Sequence, residues 1–210
     1  MPLLSAHHQR FARRPTTQGG FSFLELSVVL VVLTVLAALI WPRVDGYIIE
    51  GRVPTAGRDV LKVMSMLKNS SAATPSTTPF ATLQSADALF SDTSFNVSPG
   101  VVQHGLGVAS GRIVPTIIGG GAAVSITLWG LHPSACRSLP GMLAKLVDSI
   151  EVGRSGTNTT PTAPTDPSAV PTALSANVFK IAISGFDAMG AGTACNLDGS
   201  NNYVRFYMNG

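Results

Sequence analysis

From Phe21 to Trp41 the chain runs for 21 residues with one charge, Glu25. As an α-helix rising 1.5 Å per residue this stretch is about 31 Å long, enough to cross the hydrocarbon core of a bilayer. It is apolar on every face, so it is not the half-buried helix of an ordinary soluble domain. Lipid or other protein has to cover it. A carboxylate so near the start of such a run is costly and calls for a partner or a function.

The flanks orient the segment. Arg10, Arg13 and Arg14 precede it with no acid among residues 1–20, whereas Arg43 beyond it is balanced by Asp45. The positive-inside rule then places the N-terminus in the cytoplasm and residues 43–210 outside the inner membrane. A cleaved secretory signal fits poorly. The apolar run is too long for a signal h-region, it holds a carboxylate, and its end, "AALIWPRVDGY", is bulky where a signal peptidase needs small residues.

Here the residues match a family. "GGFSFLELSVVLVVLTVLAALIWP" resembles the N-terminus of type IV prepilins, with a glycine, an apolar residue and a glutamate at fixed spacing before an unbroken apolar run. The resemblance implies a leader, residues 1–20, removed by prepilin peptidase between Gly20 and Phe21, and N-methylation of Phe21. It implies that Glu25, fifth in the mature chain, pairs with the new amine of Phe21 on an adjacent subunit and fixes the register of assembly. Breaking one partner of such a buried pair costs about 3–5 kcal/mol. Pro42 falls where many pilins kink or melt this helix.

The remaining chain reads as an N-terminal helix over 21–70, with 21–41 as the membrane or filament core, followed by a globular head over 71–210. Val53, Ala56, Val60, Val63 and Leu67 recur at helical steps and make an apolar stripe, although Gly46, Gly51, Pro54 and Gly57 weaken the helix. Loop signals begin at "SAATPSTTP" (71–79), and residues 80–123 read as short apolar pieces split by glycine and proline. The triple glycine 119–121 lacks the Lys-Ser/Thr of a phosphate loop and reads as a turn. "AVSITLW" (123–129) alternates like a strand, 133–150 reads as a helix strained by Pro140, and "SIEVG" (149–153) as a further strand. The Thr/Pro-rich stretch 155–177 reads as an exposed loop, decorated by sugar or bland. "NVFKIAIS" (177–184) and "YVRFYM" (203–208) read as a hairpin with a long loop carrying Cys195.

Cys136 and Cys195 are the only cysteines. An even pair in an exported domain reads as one disulfide; the competing reading is a metal site joining Cys136 to His104 and His132. "HPSACRSL…LVDSIEVG" and "GTACNLDGSNNYVRFYM" are further similar to the type IVb pilins of thin conjugative pili, the PilS group. That similarity implies a bond between a cysteine early in a helix and one just before the last strand. The leader length suits type IVb and Phe21 suits type IVa, so the subclass stays open.

The expected fold is therefore α+β: a long N-terminal hydrophobic helix packed on a small antiparallel sheet head with a C-terminal disulfide, the pilin fold. The resemblance implies a structural subunit, a major pilin. It would be held in the inner membrane before assembly, then polymerised by the pilus machinery into an extracellular homo-oligomeric helical filament for adhesion or conjugative mating contact. The alternatives are a minor pilin, a type II secretion pseudopilin, or an anchored periplasmic enzyme or binding domain. No HExxH, GxSxG or DxD pattern and no nameable carboxylate pair points to an enzyme, and no cofactor or metal is expected. The pI of about 9.1 is local in origin, since the basic excess resides in residues 1–20, so nucleic acid is not expected as a partner. With 45% hydrophobic and only 12% charged residues, against about 25% charged in average soluble chains, the chain is expected to be either embedded in a membrane or packed against copies of itself.

Overall fold

The computed structural model describes residues 22–73, 88–157, 161–195 and 199–210, the side chains of 41–43, 71–73 and 108–110 apart. The long helix, α1, spans Phe23–Ala73, 51 residues. The chain forms two compact units that divide between Pro42 and Arg43. In the first, the residues from Phe23 to Ile40 are uncovered.

The second unit begins with the rest of α1 and continues through β1 (Asn96–Ser98), β2 (Val101–Gln103), β3 (Gly107–Ile118), β4 (Ala123–Leu131), α2 (Pro133–Leu143), β5 (Ser149–Arg154), β6 (Val178–Lys180), α3 (Ala188–Ala194) and β7 (Asn202–Asn209). β1 and β2 form a small pair, and the main sheet has the order β3-β4-β7-β5-β6 with every neighbouring pair antiparallel. The stripe read from sequence is the inner face of α1: Val53, Ala56, Val60, Val63 and Leu67 are all buried, as is Met64. Apart from Leu67, these side chains share one core with Ile113, Ile126, Leu128, Ile150, Val152, Val204 and Phe206, the residues on one face of the sheet. Burying each such aliphatic or aromatic side chain contributes about 1.5–3 kcal/mol.

Three expectations are corrected by tertiary structure. The apolar pieces of 80–123 include a 12-residue strand, β3, which local glycine and proline signals concealed. β3 is an edge strand, and an edge tolerates Pro115, whose missing N–H costs no ladder bond on the free side. Glycines 119–121 close the β3–β4 hairpin with φ of 59°, 66° and 103°, values that favour glycine. The helix expected over 133–150 ends at Leu143. His132 caps its start by accepting from the Ser134 N–H at 3.3 Å, and Pro133 occupies the first turn. Pro140 and Gly141 weaken its continuation.

β6 and β7 do not form a hairpin, because β5 lies between them. The described residues of 155–177 are largely exposed and hold no strand or helix, as a loop reading expects. Part of the stretch nevertheless lies on the second face of the sheet: Val170 packs on Ile118, Ala123 and Tyr207, and the Thr165 carbonyl accepts from Arg205 Nη2 at 2.6 Å.

Candidate functional site

Three features bear on function: the uncovered helix, the cross-link of the head, and a buried polar layer. The window Phe23–Ile40 has a mean hydropathy of 2.8, and none of it is buried. Its two hydroxyls turn inward on the helix, Ser27 Oγ donating to the Leu24 carbonyl and Thr34 Oγ1 to the Val31 carbonyl, each at 2.8 Å. Both are thereby satisfied in an apolar medium that offers no water. Glu25 is different. It sits exposed in the first turn of α1, and among the described residues it has no hydrogen-bond or ion-pair partner. The first turn is where a carboxylate suits the helix dipole.

Gly20 and Phe21, the expected processing site, lie outside the described residues, as does the leader. Pro42 lies within α1, at the last position of the first unit.

The disulfide is present, with the sulfurs of Cys136 and Cys195 2.06 Å apart across 59 positions of sequence. It joins the buried side of α2 to the end of α3. The metal alternative gives way to this bond. Besides Cys136, both nitrogens of His104 are engaged: Nδ1 accepts from the Leu106 N–H at 2.9 Å, so Nε2 carries the proton and donates to the Trp129 carbonyl at 2.9 Å. Burial pushes the His104 pKa down to about 4.

Sequence reading missed the polar layer beneath 155–177. Strand register sets Thr127, Arg205 and Glu151 side by side on β4, β7 and β5. Arg205 Nη1 donates to Glu151 Oε2 at 2.8 Å, and Arg205 Nε to Thr127 Oγ1 at 2.8 Å. The hydroxyls of Tyr203 and Tyr207 donate to Glu151 Oε1 and Oε2, each at 2.7 Å. Burial, then the hydrogen bonds to Glu151 and its negative charge, raise both phenol pKa values above the ordinary range. The alternation of Tyr203, Arg205 and Tyr207 was the available signal, since it puts three polar-tipped side chains on one face of a strand. The network offers no free nucleophile or base: every member is committed to another. Its role is to pin the strap 155–177 and the sheet together.

No family model matches the chain, and no curated protein matches it. Among solved structures it is similar to TcpA, a type IV pilin from Vibrio cholerae El Tor biotype. The similarity covers 76% of this chain and 98% of that one, at 15% identity and a TM-score of 0.45. A likeness at this level speaks to neither family nor function. The class of protein visible in the chain itself is an α+β head carrying an uncovered apolar helix.

Proposed function

We propose that the chain is a type IV pilin-like structural subunit, processed before Phe21, methylated there, and polymerised into an extracellular filament. The observation that carries this reading is the uncovered run Phe23–Ile40 with the unpartnered Glu25 in its first turn, directly after the Gly20–Phe21 pair. A chain of this kind has to hide about five helical turns of apolar surface, and lipid and a bundle of identical helices are successive ways to do so. In the bundle Glu25 meets the amine of Phe21 on a neighbouring copy, and Pro42 is where we place the bend between core helix and head. Residues 71–210 with the end of α1 form the outer surface, closed by Cys136–Cys195. The role is structural, with prepilin peptidase and the assembly machinery as transient partners.

Mass spectrometry of a sheared cell-surface fraction tests the proposal. The expected N-terminal peptide begins at methylated Phe21, and the protein dominates the fraction if it is the major pilin. A protein that stays in the membrane, or keeps residues 1–20, overturns the filament reading in favour of an anchored periplasmic domain.

A further inference from the structure

The head carries a cleft of about 390 Å³ between α1 and the β1–β2 region. One wall is Gly51, Arg52, Thr55 and Ala56 of α1; the other is Ser94, Asn96, Gln103 and the His104–Gly105 turn. It lies outside both the disulfide region and the polar layer, and the filament reading makes no use of it. Its size is that of a small-ligand site.

The lining chemistry is selective. Among the described lining residues Arg52 is the one ionised side chain, because His104 is neutral and has both ring nitrogens engaged. Gly105 takes φ of 63° and lets its carbonyl accept from Arg52 Nη1 at 3.4 Å. That single long contact orients the guanidinium and leaves its other N–H groups for a ligand, in a fork that matches a carboxylate. Thr55 has no hydrogen-bond partner among the described residues, so its hydroxyl can donate or accept. Ser94 Oγ gives its proton to Asp59 Oδ2 at 2.5 Å and therefore presents lone pairs to the cleft. Asn96 brings an amide to the opposite rim, its Nδ2 lying 3.4 Å from Gln103 Oε1. Gly51 has nothing within 4 Å of where a Cβ would stand, which keeps the mouth open beside Arg52.

We propose that this cleft binds a small carboxylate-bearing polyhydroxy ligand, an acidic monosaccharide in chemical class. The carboxylate pairs with Arg52, and ligand hydroxyls donate to Ser94 Oγ and exchange hydrogen bonds with Thr55 and Asn96. The described lining residues include no aromatic ring for a sugar to stack on, so the charged group of the ligand carries the selectivity.

Calorimetric titration of the full chain in detergent micelles with sodium glucuronate tests this, with glucose as the neutral comparison. Saturable glucuronate binding in the millimolar range, absent for glucose, is the expected result. Arg52→Gln should weaken it at least about tenfold, the loss of a charge-assisted pair. Arg58→Gln, an exposed position six residues further along α1 and outside the cleft lining, should leave it unchanged. Circular dichroism melts confirm that each variant is folded. No saturable binding, equal binding of glucose, or binding that survives Arg52→Gln in a folded variant overturns the proposal.

Discussion

Glu151 Oε2 lies 2.8 Å from Arg205 Nη1, with only 16% and 5% of the two side chains exposed. The pair is buried on the sheet face opposite α1, against the stretch that carries Thr165 and Val170. Both charges have further partners: Arg205 bonds Thr127 and the Thr165 carbonyl, and Glu151 accepts from two phenols. Removing one charge leaves the other stranded. Arg205→Met should therefore destabilise the head by about 3–5 kcal/mol, and the double variant Arg205→Met/Glu151→Gln by less than the sum of the two single changes. Urea denaturation of the four proteins of this cycle checks the prediction.

The same network predicts an alkaline response. Tyr203 and Tyr207 have folded pKa values raised above the ordinary phenol value, which is about 10. Above that pH the unfolded chain has lost protons that the folded chain still holds, so stability falls as pH rises. Tyrosinate absorbance from these two residues should appear together with unfolding rather than before it. Replacing both by phenylalanine should remove this part of the pH dependence.

His104 predicts an acid response of the opposite sense. Its folded pKa of about 4 lies below the ordinary 6.5. The unfolded chain therefore binds the proton first as pH falls, and the native state loses stability between those values. The contribution is present in full above pH 6.5 and amounts to up to ~3 kcal/mol by linkage. Comparing urea midpoints at neutral and acid pH for the native chain and for His104→Gln isolates it, and the variant should show the shallower decline.

Reducing Cys136–Cys195 reopens a loop of 59 positions. By chain entropy the oxidised head should be more stable by about 4 kcal/mol. Cys136→Ser/Cys195→Ser should lower the denaturation midpoint of the chain, and adding reductant to that variant should change nothing further.

Glu25→Leu separates membrane insertion from assembly. Removing a carboxylate from an apolar span makes insertion easier, since an acid at helix centre costs about 2.5–3.5 kcal/mol and less near an end. The variant should accumulate in the membrane at normal levels yet disappear from the sheared surface fraction. Quantifying the protein in both fractions decides it, and undiminished filament would remove Glu25 from the register-setting role.

Signals carried by a single element were the legible ones. The apolar run announces itself by hydropathy, and the stripe Val53, Ala56, Val60, Val63, Leu67 by its helical period, because both signals lie within a few turns of one element. β4 and β5 were visible for the same reason. The Cys136–Cys195 bond followed from two cysteines having few alternatives.

Tertiary structure alone decided how distant strands pair. Pro115 and the glycines around β3 look like breakers along the chain, and only a place on the sheet edge makes them tolerable. β5 enters between β6 and β7, and that insertion brings Glu151 beside Arg205 from 54 residues away. The Thr/Pro-rich strap has no period of its own to reveal that it covers a polar sheet face. Hydropathy and periodicity report on neighbours along one element, whereas register, edge position and the burial of charge are set by segments that meet only after the sheet has closed.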